Sequence, residues 1–246
     1  GKPIPPLDNN TRISEFKELG EAALEMSRRN AKVYESQKQF IENAAHELQT
    51  PLSISLTKLE LLAAKENLSE EQLLEIDEIY RSLNRAVKLN KSLLLQARIE
   101  NKQFFETKDV NITALVKENT SDLSDIFEEK NITVSIKEES DCVVPMNESL
   151  AQILVGNLLK NAFVHNITRG NIEIALSAGV LSVKNTGGKA LDASLIFNRF
   201  YRSIDSKNNE STGLGLAIAK SICDNYRFQL NYRYDKVHIF TLKFAK

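Results

Sequence analysis

Apolar residues recur at helical spacing through the first hundred residues and at mixed spacing beyond them. The first stripe is Ile41, Ala45, Leu48, Leu52, Leu56, Leu59 and Leu62. Asn10 and Thr11 can cap a helix there, and up to Lys65 only Gly20 and Pro51 interrupt it. The pattern breaks near Asn67, where Ser69 and Gln72 make a capping-box pair that opens a second helix. Its seam is Leu73, Ile76, Tyr80, Leu83, Val87, Asn90, Leu94 and Ala97, alternately three and four residues apart. That is a heptad pattern, and its polar member, Asn90, is placed to fix register or oligomer state. Two helices cannot cover both seams alone. A second copy would complete a four-helix bundle, so residues 11–100 read as a dimerising hairpin.

Residues 1–10 read as a stiff linker, since three of the five prolines lie in the first six positions. Residues 101–107 read as a hinge. Beyond it the spacing predicts strands at 110–112, 132–136, 172–176, 180–184, 229–234 and 237–244. Helices are expected up to about 129, over 147–164 and over 215–225. Helices alternating with open, largely antiparallel strands predict an α/β sandwich over 108–246, and an α+β, multidomain chain as a whole.

The chemistry sits on the polar side of these patterns. At about 100° per residue, His46 and Thr50 fall on the face away from the first stripe, one turn apart. A core histidine would sit on the stripe, so His46 is presented to solvent. Pro51 removes a helical hydrogen bond, frees the Glu47 carbonyl and bends the helix beside it. A neutral imidazole is a competent nucleophile for phosphoryl transfer. A carboxylate at the next position, Glu47, can bond the other ring nitrogen and take up developing positive charge. A surface histidine on a kinked helix fits this segment equally well when it is taken alone. Further on, Asn157 and Asn161 lie one turn apart on an otherwise apolar helix. Amide oxygens suit Mg²⁺, and such a polar pair is costly without partners. The glycines of the Thr212–Gly215 stretch open a helix whose N–H groups can meet phosphate.

Taken in order, His46 to Pro51, Asn157 to Asn166, Asn185 to Gly187, Ile196 to Arg202 and Ser211 to Ala217 resemble the H, N, G1, F and G2 boxes of the sensor histidine kinases of two-component systems. The resemblance spans about residues 36 to 246. It implies a homodimeric phosphotransfer hairpin followed by an ATP-binding domain of the histidine kinase type. It implies ATP-dependent phosphorylation of His46, then transfer to an aspartate on the receiver domain of a separate response regulator. Glu47 would be the acid–base catalyst, and Thr50 would position water for dephosphorylating that partner. Asn157 and Asn161 would serve the nucleotide, with Asn161 on Mg²⁺, and His165 would lie near the ribose. Asn185 and Gly187 would hold the adenine and Arg202 the γ-phosphate. Thr212, Gly213, Leu214 and Gly215 would meet the phosphates at the end of a lid running from Arg202 to Ser211, anchored by Phe197 and Phe200. The chain departs from the family at Gln49 (commonly basic), Val164 (commonly Lys), His165 (commonly Tyr), Asn185 (commonly Asp) and Lys189 (commonly Gly). The amide NH₂ of Asn185 would also tolerate a base that presents a carbonyl.

A net charge of −1, with no long Lys/Arg run, argues against nucleic acid or a polybasic membrane contact. The two cysteines, Cys142 and Cys223, lack metal-ligand spacing and read as buried thiols. No apolar run approaches the roughly 18 residues of a membrane span. The expectation is a soluble, cytoplasmic portion of a longer protein, anchored in the inner membrane through an N-terminal sensor. Two rival readings use the same elements: a non-catalytic scaffold of this fold, or an ATPase or serine kinase on the same nucleotide-binding fold.

Overall fold

The computed structural model describes residues 14–65, 68–101, 103–104, 106–202 and 212–244. The side chains of residues 14–17, 37–38, 41–42 and 46 lie outside the description. The linker at 1–10, its Asn10–Thr11 cap, most of the lid and part of the hinge fall outside the described residues.

The hairpin is two helices, α1 (Ser14–Ala63) and α2 (Glu70–Glu100). The capping box forms as expected: Ser69 Oγ accepts from the Gln72 N–H at 3.2 Å, and the Ser69 N–H donates to Gln72 Oε1 at 2.9 Å. Such a cap contributes about 1 kcal/mol. Pro51 lies inside α1, and the helix continues through it. Of the seams, Ala45, Asn90 and Ala97 are buried, while Leu48, Leu62 and Leu73 remain exposed. Asn90 binds within its own chain: its Nδ2 donates to the Ala45 carbonyl, one residue before His46.

The second region orders as β1 (Lys108–Asn111), α3 (Ile112–Ile126), a 3-10 turn (Glu128–Lys130), β2 (Thr133–Glu138), β3 (Val143–Met146), α4 (Glu148–Val164), β4 (Asn171–Ser177), β5 (Val180–Asn185), α5 (Gly215–Tyr226), β6 (Gln229–Asp235) and β7 (Val237–Lys243). Five strands form one sheet in the order β2-β4-β5-β7-β6, parallel only at β2–β4. β1 and β3 make a separate antiparallel pair. The strand at Val143 is an addition to the sequence reading, because four residues with a central proline carry too little alternation to be seen. Ile112 belongs to a helix, not a strand, because the side chain of Asn111 caps α3 by accepting from the Ala114 N–H at 2.9 Å. The helix after it ends at Ile126, three residues short of the expected 129, and a 3-10 turn follows.

One core lies between the sheet and its helices. It holds Leu150, Leu154, Leu158 and Phe163 of α4, Ile172, Ile174 and Leu176 of β4, and Leu181 and Val183 of β5. Burial on β5 alternates, so Leu181, Val183 and Asn185 share the covered face. The last turn of α2 also seats on this domain. Ile99 joins the core, Gln96 Nε2 donates to Ser221 Oγ at 3.2 Å, and Glu100 pairs with Arg199 at 2.6 Å. Cys142 and Cys223 are free and buried, and burial pushes the Cys223 thiol up to about 12.

Candidate functional site

The polar residues that interrupt α4 sit near the entrance of α5. Asn157 Oδ1 lies 3.0 Å from where a Cβ on Gly215 would fall, so the asparagine helix and the Gly215 turn meet with no room for a side chain. Asn161 is one turn further along α4, half-buried, and its carbonyl accepts the His165 N–H at 3.1 Å. Among the described residues the side-chain amides of Asn157 and Asn161 take no hydrogen bond from the protein. His165 is the C-terminal cap of α4, through its main-chain N–H, and it is exposed. Partial desolvation of the imidazole, and then the nearby Lys130 charge, hold its pKa below the ordinary histidine range.

The entrance of α5 is built for close backbone approach. Leu214 precedes it, fully buried, and no side chain caps the first N–H groups. Gly213 has φ 69° and packs so tightly that a Cβ would lie 2.9 Å from the Phe200 carbonyl carbon. Thr212 is half-buried at the near edge. Across from Gly213, Phe200 donates its N–H to the Gly213 carbonyl at 3.0 Å, itself at φ 64°. Its ring is 55% exposed, so Phe200 does not anchor the lid by packing. Phe197 and Tyr201 pack against the core instead, and Tyr201 Oη accepts the Asp192 N–H at 3.3 Å. Arg202 is half-buried at the start of the lid.

The far wall is the end of β5. Asn185 is 2% exposed. Its Nδ2 donates to the Thr186 carbonyl at 2.8 Å, and its Oδ1 is buried with no partner among the described residues. One N–H of the amide is therefore engaged by the main chain, and Oδ1 is the acceptor left over. An orphaned buried acceptor costs roughly 1–3 kcal/mol, so it marks a place where a donor belongs. Gly187 follows, and a Cβ there would lie 2.4 Å from His238 Cδ2. Gly188 is open, and its carbonyl accepts from Tyr234 Oη at 3.1 Å.

His238 escaped the sequence reading. It lies opposite Asn185 on β7, nine-tenths buried or more, with Nδ1 2.9 Å from Tyr232 Oη. Tyr232 Oη also accepts the Leu191 N–H at 3.0 Å, so its own proton is free for the imidazole. Burial, and then the neighbouring His165, lower the His238 pKa. Its signal was present: a lone histidine at a covered position of an apolar strand.

The hairpin carries the other residues that the sequence singles out. Glu47 and Thr50 are exposed on α1, on the turn that follows the buried Ala45. The backbone of His46 is helical, and its side chain lies outside the description. No group of three or more His, Cys, Asp or Glu among the described residues could hold a metal by itself. No helix of the described residues is long and apolar enough to cross a membrane.

Two family models match this chain. Residues 36–102 match the His Kinase A (phospho-acceptor) domain, and residues 146–246 match the histidine kinase-, DNA gyrase B-, and HSP90-like ATPase. The sensor protein kinase PmrB of Pseudomonas aeruginosa is 31% identical over 197 residues, which is 77% of this chain and 41% of that protein. The heme sensor protein HssS of Staphylococcus saprophyticus is 32% identical over 191 residues, 74% of this chain and 40% of that protein. The chain thus spans less than half the length of these relatives. The solved structure of full-length ShkA in complex with AMPPNP superposes with a TM-score of 0.65 at 22% identity, over 84% of this chain and 46% of that one, a likeness of fold. Phospho-acceptor helices joined in one polypeptide to this ATPase domain, together with the likeness to these relatives, place the chain among the sensor histidine kinases of two-component systems.

Proposed function

We propose that this chain is the catalytic part of a longer sensor kinase, that it phosphorylates His46 from Mg·ATP, and that it passes the group to an aspartate on a response regulator. The domain partition that goes with it is a linker over 1–10, the hairpin over 11–100, a hinge over 101–107 and the nucleotide domain over 108–246. The observation that carries the nucleotide half is the buried, unpartnered Oδ1 of Asn185. It needs a donor, and the exocyclic amine of adenine is one. A base with a carbonyl at that edge would set oxygen against oxygen. The uncapped start of α5 offers N–H groups and a positive dipole end to phosphates. Asn161 offers a hard oxygen to Mg²⁺, which keeps waters and needs few protein ligands. The metal, arriving with the nucleotide, would neutralise phosphate charge. Arg202 supplies the cation that Val164 does not.

In the hairpin, His46 must react neutral, with one ring nitrogen free for the γ-phosphorus. Glu47 holds the other nitrogen and stabilises the charge that develops on the ring. Thr50, one turn away and exposed, is not needed for that attack. Its hydroxyl serves the reverse duty, orienting water for hydrolysis of the regulator's aspartyl phosphate. The exposed seam residues of α1 and α2 are covered by a second copy of the hairpin. The remainder of the protein would carry a membrane-anchored sensor.

The test is incubation with γ-labelled ATP and Mg²⁺ followed by acid or alkali. A phosphoramidate is lost in acid and survives alkali. Acid-stable label would favour the serine kinase, and no label with intact nucleotide binding would favour the scaffold.

A further inference from the structure

Lys130 lies outside every motif that builds the site, yet it reaches the site's frame. It ends the turn Glu128–Lys130. Its Nζ donates to the carbonyls of Phe163 at 3.0 Å, Val164 at 2.8 Å and Asn166 at 3.3 Å. An ammonium has three N–H groups, and here each has one acceptor. These carbonyls close the C-terminal end of α4, where intrahelical donors run out and the dipole favours a cation. The ammonium also lies 5.3 Å from the centroid of the Phe127 ring, which stacks on Phe163 at 5.9 Å.

Further hydrogen bonds start at the side chain of Asn166, joined to the Lys130 contact through the Asn166 main chain. Asn166 Oδ1 accepts from Thr186 Oγ1 at 2.5 Å and from the Ile167 N–H at 2.9 Å, and its Nδ2 donates to the Asn171 carbonyl at 3.2 Å. Thr186 Oγ1 accepts the Asn171 N–H at 2.8 Å, which turns its own proton toward Asn166. The Thr186 carbonyl then takes Nδ2 of Asn185 at 2.8 Å. Donors and acceptors match at every link. Flipping either amide would set like against like, so Asn185 keeps Oδ1 as an acceptor with no partner among the described residues.

We propose that Lys130 is a positioning residue: through Asn166 and Thr186 it fixes the amide of Asn185, and so selects a purine with an amino group over one with a carbonyl. This rests on the nucleotide-binding reading above. With Lys130 gone, three carbonyls at the end of α4 need new donors, and the Asn166–Thr186 link loses its anchor. Asn185 can then turn its NH₂ outward and accept the wrong base.

The experiment is calorimetric titration of the purified chain with Mg·ATP and with Mg·GTP, for the parent, Lys130→Met, Thr186→Val, Thr186→Ser and the Lys130→Met/Thr186→Val pair. Each of the first two variants should lose about tenfold in the ratio of ATP to GTP affinity, the size of one misplaced buried hydrogen bond. The pair should lose no more than either alone, because both cut one series. Thr186→Ser keeps the hydroxyl and should keep the parental ratio. A purely structural role would lower the melting temperature and leave the ratio alone. If Lys130→Met does not fold, Thr186→Val carries the test, since it leaves the ammonium in place. A folded variant with the parental ratio overturns the proposal while the nucleotide reading stands. A parent that binds neither nucleotide overturns both.

Discussion

Leucines fare differently in the two halves of the chain. In the nucleotide domain Leu150, Leu154, Leu176 and Leu181 are wholly covered. In the hairpin Leu48 keeps 54% and Leu74 67% of its surface exposed. The same side chain, worth about 1.5–3 kcal/mol when fully buried, is used inside one copy in the first case and left open in the second. The domain is complete as a single chain. The hairpin leaves an apolar face for the second copy proposed above. Polar groups differ in the same sense. The domain ties Asn166 and Asn185 into hydrogen bonds and, among the described residues, leaves Asn185 Oδ1 and Thr120 Oγ1 buried without a partner. The hairpin sets Glu47 and Thr50 on an open surface. A rigid holder and a reachable acceptor helix are what the proposed transfer between two bodies requires, because one must bind tightly and the other must be reached.

Breaking the holder should have the largest effect. Asn161→Ala removes the hard oxygen assigned to Mg²⁺ while leaving the α4 core intact. Mg-dependent incorporation of label should fall below detection, with the circular dichroism spectrum unchanged. Incorporation near the parental rate would move the metal elsewhere. Next comes the exposed acceptor. Glu47→Gln should keep ATP affinity and slow incorporation roughly 10²–10⁴-fold, the usual reach of a general acid–base group. A change in affinity with the rate intact would make Glu47 a binding residue.

The hairpin's open face gives a smaller and separable effect. The parent should be a dimer by light scattering at micromolar concentration. Leu62→Asp together with Leu73→Asp should shift it toward monomer by tenfold or more in dissociation constant, since two leucines that the second copy would cover become charges. Nucleotide affinity should not move. A parent that scatters as a monomer would mean that something else covers the seam.

How much of this could be read from the chain alone follows from the same contrast. Regular spacing made α1, α2, α4 and α5 legible, and the Ser69–Gln72 box marked the turn within a residue or two. The strand at Val143 was too short to show periodicity, and the cap at Asn111 converted an expected strand residue into a helix start. Motif residues on α4 and β5 were legible because each carries chemistry out of place on an apolar element. Lys130, Thr186 and His238 were not, because their meaning lies in partners 33, 20 and 6 residues away. Phe200 was misassigned because aromatic residues near a loop usually pack inward. Here Phe200 has a positive φ and stays 55% exposed.

The smallest expected effect sharpens the far wall of the site. His238 has a folded-state pKa below its ordinary 6.5. The unfolded chain then binds more protons than the folded one below that value. Stability from this group is therefore whole above pH 6.5 and is lost as pH falls toward the folded value. The melting temperature should drop by about 2–4 °C for each kcal/mol lost between pH 7.5 and 5.5. In His238→Asn the pH dependence should shrink. An unchanged slope would place the titrating group elsewhere.

The central claim is that the two halves meet at one nitrogen. The most direct measurement is mass-spectrometric mapping of the phosphate, under non-acidic conditions, after incubation with Mg·ATP. The account predicts phosphate on His46, and none on a His46→Gln variant that still dimerises and still binds nucleotide. Phosphate on a serine, a threonine or another histidine, with His46 unmodified, would contradict it.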